Sequence, residues 1–170
     1  MPSLYLVGMM GSGKSVTGKR LAALLGLPFF DLDERIEEKA GRGILQIFEK
    51  DGEANFRNLE TAVLKEVPST GSKVIATGGG IVLGRENVEW MRRTGKIIYL
   101  KTSLAELWGR LQGKKNRPLL KGTNPRANLE RILKEREGLY EKVCDLWVDT
   151  DGCTADQTVQ KILETLRPLT

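Results

Sequence analysis

The sequence contains no histidine. That removes imidazole bases, Ser-His-Asp triads and histidine metal sites, and leaves acid–base work to carboxylates, Lys, Tyr or Cys. Cysteine is scarce as well. Cys144 and Cys153 form neither a C-x-x-C pair nor a metal-ligand cluster, so two reduced thiols are expected. No run approaches the roughly 18 apolar residues of a membrane helix, and Met1-Pro2-Ser3-Leu4-Tyr5 lacks the basic start of a signal peptide. A cytoplasmic location and no membrane partner are therefore expected. Acidic residues are missing from one segment in particular. Between Leu107 and Leu129 there is none, against Arg110, Lys114, Lys115, Arg117, Lys121 and Arg126. The formal charge of +5 is thus concentrated in one stretch, which suits a small anionic ligand better than a nucleic-acid face.

What is present fits a single domain of 170 residues. Apolar runs at Ser3–Val7, Pro28–Asp31, Lys73–Ala76, Lys96–Leu100 and Leu146–Val148 read as short strands. Between them, helical patterns run from Lys14 to Leu25, from Asp33, as a cap, to Ala40, and in two pieces over Ile44–Lys50 and Glu53–Val67. Further helices are predicted over Asn87–Thr94, from Ser103 as a cap through Leu111, over Asn128–Val143 and over Ala155–Leu166. Gly113, Pro118, Gly122 and Pro125 punctuate the basic segment 112–125, where a mobile loop is expected. Strands alternating with helices imply an α/β fold with a parallel sheet covered on both faces.

Gly8-Met9-Met10-Gly11-Ser12-Gly13-Lys14-Ser15 satisfies G-x-x-x-x-G-K-[ST], with an apolar strand before it and an amphipathic helix after it. Glycines let successive N–H groups curl toward phosphate oxygens, and the helix N-terminus adds its positive dipole end. In such a loop Lys14 reaches the β- and γ-phosphates and the Ser15 hydroxyl ligates Mg²⁺. The strand Val74-Ile75-Ala76 ends in Thr77 and three glycines rather than a Walker B aspartate, and no guanine or helicase signature occurs. A small-molecule or nucleotide kinase remains.

Candidate acceptor residues follow the strands, where ligands gather in a parallel sheet. Asp31 and Asp33 end the second strand, and continued strand geometry would turn both side chains to one face, for Mg²⁺ and for a substrate hydroxyl. The alternative makes them helix-capping aspartates. Arg57 stands between Glu53 and Glu60 at ion-pair spacing, and Arg136 sits on a long helix. Locally both read as surface residues. Thr77-Gly78-Gly79-Gly80 is either a close-approach site for a ligand or a plain turn. Arg117, in Asn116-Arg117-Pro118-Leu119-Leu120, either closes over ATP or belongs to a solvated loop.

Taken in order along nearly the whole chain, these pieces resemble the shikimate kinase family. The resemblance is carried by Gly8–Ser15, Phe30-Asp31-Leu32-Asp33, Gly52-Glu53 with Phe56-Arg57 and Glu60, Thr77–Gly80, Arg117-Pro118-Leu119-Leu120, and Arg136 with Leu139-Tyr140. It implies a three-layer P-loop NTPase fold of the adenylate-kinase type, with a five-stranded parallel sheet and a lid over about 112–125. It implies transfer of the ATP γ-phosphate to the 3-hydroxyl of shikimate, with Mg²⁺, by a monomer acting in chorismate and aromatic amino-acid synthesis. In its terms ATP is held by Gly11, Ser12, Gly13, Lys14, Ser15, Val16, Arg110 and Arg117, and the metal by Ser15 and, through water, Asp31. Shikimate is held by Asp33, Arg57, Gly78, Gly79, Gly80 and Arg136, with Glu60 orienting Arg57 and with Lys14, Asp33 and Arg117 in catalytic roles.

Three positions depart from the family pattern. Val16 stands where Thr is common, and Gly138 where Pro is frequent. The loop Asp151-Gly152-Cys153-Thr154-Ala155 lacks the usual Arg and Pro, so backbone groups are expected to hold adenine there. Two rivals remain open at this point. A gluconate kinase would share the ATP loop without needing two arginines, and an ATP-dependent nucleic-acid-binding module would use the basic balance.

Overall fold

The computed structural model describes residues 1–114 and 118–166. Five parallel strands form one sheet: β1 (Ser3–Val7), β2 (Phe29–Asp31), β3 (Val74–Ala76), β4 (Gly95–Lys101) and β5 (Leu146–Asp149), in the order β2-β3-β1-β4-β5. β1 lies in the middle, with Leu6 opposite Ala76 on one side and Ile98 on the other. Every strand points its carboxyl end the same way, so the turns after the strands converge on one rim.

Alternation along the strands builds two cores. Leu4, Leu6, Val74, Ile98 and Leu100 pack under α1 (Lys14–Leu25) and α7 (Ala155–Leu166). Tyr5, Val7, Ile75, Ile97 and Tyr99 face the other way, under α2 (Leu32–Ala40), α3 (Ile44–Glu66), α4 (Arg85–Thr94), α5 (Leu104–Leu111) and α6 (Pro125–Val143). Burial on both faces explains why β1 and β3 read as continuous apolar runs, whereas β5 at the edge alternates and leaves Trp147 exposed. The result is the expected three-layer α/β architecture.

Most boundaries fall where local chemistry puts them. Gly26 ends α1 in the left-handed conformation, and Ser103 caps α5 by accepting from the Glu106 N–H. The two pieces foreseen around residue 52 are one helical span broken at Gly52, whose φ of 81° and ψ of 169° interrupt the turn. One expectation fails. Asp31, not Asp33, caps α2: its Oδ1 accepts from the Asp33 N–H at 3.0 Å and the Glu34 N–H at 3.4 Å. The helix starts directly at Leu32, so strand geometry does not persist to Asp33 and does not set the two carboxylates on one face. Short 3₁₀ turns at Ile81–Leu83 and Pro118–Leu120 were not foreseen. Pro118–Leu120 falls inside the basic segment 112–125 and seats Leu120 in the core.

Candidate active site

The phosphate loop leaves β1 and enters α1, whose N-terminus no side chain caps. Gly11 and Gly13 sit at φ 83° and 89°, a region open to glycine that lets the loop curl, and the Ser12 N–H donates to Met9 O at 3.1 Å. Lys14 is 8% exposed, and its Nζ donates to the carbonyls of Gly8 (2.8 Å) and Met9 (2.9 Å). The Ser12 hydroxyl is buried without a hydrogen-bond partner. Val16 is 54% exposed on the first turn of α1 and offers no hydroxyl to a phosphate.

Ser15 Oγ donates to Asp31 Oδ2, which joins the end of the loop to the end of β2. A hydroxyl and a carboxylate side by side are hard oxygen donors suited to Mg²⁺, an ion that keeps several waters and leans on substrate phosphates. Among the described residues no cluster of three or more Asp, Glu, Cys or His could hold a metal alone.

Arg110, at the end of α5, spans the phosphate loop and the turn after β5. Its guanidinium donates to Gly11 O (3.4 Å), Thr150 O (3.0 Å) and Glu106 Oε1 (3.0 Å). Neither Glu106 nor Thr150 drew notice in the sequence, although Glu106 stands at helical ion-pair spacing from Arg110.

The acceptor side is built around the turn Gly78–Gly80, which follows β3. Thr77 ties that turn to the central strand, since both its N–H (3.2 Å) and its hydroxyl (2.9 Å) donate to Leu6 O. The glycines are needed for space. A methyl on Gly80 would lie 2.3 Å from Arg57 Nη1, and one on Gly78 would lie 2.5 Å from Glu60 Oε1 and 3.2 Å from Asp33 Oδ1. Side chains from α2 and α3 thus press directly onto the bare backbone.

Arg57 bridges Glu60 Oε2 (3.0 Å) and Glu53 Oε1 (3.1 Å), with its guanidinium 5.2 Å from the Phe56 ring centroid. Its side chain is only 22% exposed, and Arg136 is 5% exposed. The local reading of both as surface residues is therefore wrong. The ion-pair partners of Arg57 lie on its own helix, but the backbone it packs against at Gly80, like that beside Arg136 at Gly79, comes from the distant turn after β3. Glu60 is fully buried, and its Oε1 has no hydrogen-bond partner. Burial pushes its carboxyl above the ordinary value, Arg57 pulls it back, the Asp33 charge adds to the rise, and Arg136 opposes it.

One cleft of about 710 Å³ joins these parts. Ser15 and Asp31 line it at the phosphate-loop side, Asp33, Arg57 and Arg136 at the glycine turn, and Phe48, Phe56 and Leu119 form an apolar wall. Lys114 reaches the same cleft. Arg117, expected over ATP, lies outside the described residues. The arrangement can hold a nucleotide triphosphate beside a small acid, with a carboxylate near the junction.

Comparison with known proteins decides the family. The family model described as "Shikimate kinase" matches residues 10–167. The chain belongs to the shikimate kinase family. Shikimate kinase of Thioalkalivibrio sulfidiphilus is 44% identical over 160 residues, covering 94% of this chain and 84% of the relative. Shikimate kinase of Acinetobacter baumannii is 43% identical over 164 residues, covering 96% and 91%. The solved structure of an Acinetobacter baumannii shikimate kinase in complex with shikimate superposes with a TM-score of 0.96 at 42% identity, covering 100% of this chain and 95% of that one. A gluconokinase from Sinorhizobium meliloti shares the fold at a TM-score of 0.65 and 20% identity, which supports the architecture and nothing more. Membership makes the chain an ATP-dependent phosphotransferase with an alcohol group as acceptor, and the gluconate kinase alternative is not favoured.

Proposed function

We propose that this cleft transfers the γ-phosphoryl group of Mg²⁺-ATP to the 3-hydroxyl of shikimate, with the following division of labour. The observation that carries this reading is the meeting, in one cleft, of Met10 and Ser15 from the phosphate loop with two inward arginines and Asp33 around a bare glycine turn. The loop amides of Gly11, Ser12 and Gly13, with Lys14, Ser15 and Val16, bind the triphosphate, and Arg110 flanks the nucleotide. Ser15 and Asp31 hold Mg²⁺, which neutralises phosphate charge when bound.

Arg57 and Arg136 take the substrate carboxylate, a task suited to planar guanidinium forks. Gly78, Gly79 and Gly80 form the bed on which the ring lies, and Asp33 accepts the hydrogen bond of the reacting hydroxyl. That oxygen attacks the γ-phosphorus, the bond to the β–γ bridging oxygen breaks, and ADP leaves. The hydroxyl proton moves to Asp33. Lys14 stays on the phosphates throughout, where it offsets charge in the transition state.

We read the chain as a single kinase domain in which residues 112–125 serve as a lid, with Arg117 completing the phosphate contacts. In this reading it acts as a monomer, and in the cytoplasm, where ATP is supplied. A panel of hydroxy acids and polyols in a coupled ADP-release assay tests the reading. Turnover with shikimate is expected, and preferential turnover with gluconate would overturn it.

A further inference from the structure

The glycine turn is gripped from α6 by two side chains one helical turn apart. Arg136 Nη1 would stand 3.7 Å from a methyl on Gly79, and Tyr140 Oη donates a hydrogen bond to the Gly79 carbonyl. Tyr140 is completely buried. Its ring stacks on Tyr99 with centroids 5.0 Å apart and planes at 25°, and its hydroxyl also lies 3.9 Å from Met9 Sδ at the root of the phosphate loop.

Packing therefore fixes the ring, and the hydroxyl is aimed at one peptide. In a trans peptide the carbonyl and the following N–H point in opposite directions. Holding the Gly79 carbonyl toward Tyr140 turns the Gly80 N–H away from it. Three successive glycines have no side chains of their own to fix that orientation and span a wide range of backbone angles. Burial pushes the Tyr140 hydroxyl up to about 12, against the opposing pull of Arg136. It thus remains a donor over the working range of a cytoplasmic enzyme.

We propose that Tyr140 is a positioning residue for the acid substrate: its hydroxyl locks the Gly79–Gly80 peptide in the one orientation that seats the acid beside Arg57 and Arg136. This rests on the reading of the glycine turn as the seat of the acid. Tyr140 is not among the residues that line the cleft, so its effect is transmitted through the Gly79–Gly80 peptide and falls on acid binding, not on ATP.

The test is Tyr140→Phe, with Tyr99→Phe as the control that keeps the stack and spares the Gly79 bond. Expected for Tyr140→Phe is a KM for shikimate raised about five- to twentyfold, with kcat and the KM for ATP within about twofold of wild type, in the range of a lost neutral hydrogen bond. Tyr99→Phe should leave all three unchanged. A lowered melting temperature with an unmoved KM for shikimate makes Tyr140 a packing residue and overturns the proposal. So does a parallel rise in both KM values.

If Tyr140→Phe does not fold, 3,5-difluorotyrosine placed at 140 keeps ring and hydroxyl but titrates lower. Arg136 and Arg57 oppose its protonation, Glu60 favours it, and Tyr99 from β4 and Met9 bring no competing charge. Expected is an alkaline loss of kcat/KM for shikimate that wild type lacks at the same pH, and an unchanged alkaline limb refutes the proposal. Failure of the wild type itself to phosphorylate shikimate would instead count against the functional reading, so the two outcomes stay separate.

Discussion

At the scale of single residues, the phosphate loop was the most legible part of the chain, because its residue types follow from the geometry of phosphate binding. Lys14→Ala should leave a folded protein with turnover down by at least about a thousandfold, since Lys14 offsets charge on the transferring phosphate in the transition state. Near-normal turnover by a folded Lys14→Ala protein would remove this loop from catalysis. Asp33→Asn keeps size and loses the charge, and kcat/KM should fall about a hundredfold or more. Lys at position 57 or 136 should chiefly raise the KM for the acid, because a lysine lacks the bidentate fork. Wild-type kinetics in all three variants would mean that Asp33 and the arginines serve only stability.

Glu60 makes a separate claim about pH. Its carboxyl is raised from an ordinary 4.5, with burial as the largest cause. The folded state then holds this proton more tightly than the unfolded one, and stability contributed by Glu60 declines as pH rises through that window. Glu60→Gln removes the decline. Its melting temperature relative to wild type should therefore improve as pH rises above about 4.5. A difference that stays flat with pH contradicts an uncomfortable buried charge at this site. The buried arginines and Glu60 were not legible from local pattern. Helical spacing of Glu53, Arg57 and Glu60 is the same on a surface helix as on this one, and only the glycine turn of β3, brought over from elsewhere in the chain, makes the difference.

At the scale of elements, strands and helices were readable because glycines, caps and apolar runs mark their ends. The misplaced cap of α2 shows where that reading stops. Two aspartates two residues apart both look like caps, and only the point at which β2 stops pairing selects Asp31. Glycines divide in the same way. Gly80 is held bare by the Arg57 guanidinium, whereas a methyl on Gly138, within α6, would meet nothing within 4 Å. Gly138→Ala should accordingly stabilise the protein by about 0.5–1 kcal/mol with kinetics unchanged. Gly80→Ala should raise the KM for shikimate at least about tenfold by displacing Arg57. Thermal unfolding with steady-state kinetics on both variants checks the pair, and equal behaviour of the two would deny the turn its special role.

At the scale of the whole molecule, the parallel sheet decides where everything meets. The phosphate loop, Asp31, the glycine turn and the turn after β5 are brought to one rim because all strands point the same way. Arg57 and Arg136 arrive from two different helices on one face of the sheet. The resemblance could name this constellation, but composition and periodicity could not bring its members together. Pro118 and Leu119 line the cleft, so a filled cleft should cover them. Hydrogen exchange over 118–125 is expected to slow with an ATP analogue and shikimate together, and equal exchange with and without ligands would count against a lid.

The central claim is that one cleft carries phosphate from ATP to a hydroxyl of a small carboxylic acid. Its most direct test is coupled ADP release by the purified chain with ATP, Mg²⁺ and shikimate, with the phosphorylated product identified. The account predicts ADP release that depends on shikimate and on Mg²⁺ and yields shikimate 3-phosphate in equal amount. ADP release indifferent to shikimate, or none at all from a folded protein, would contradict it.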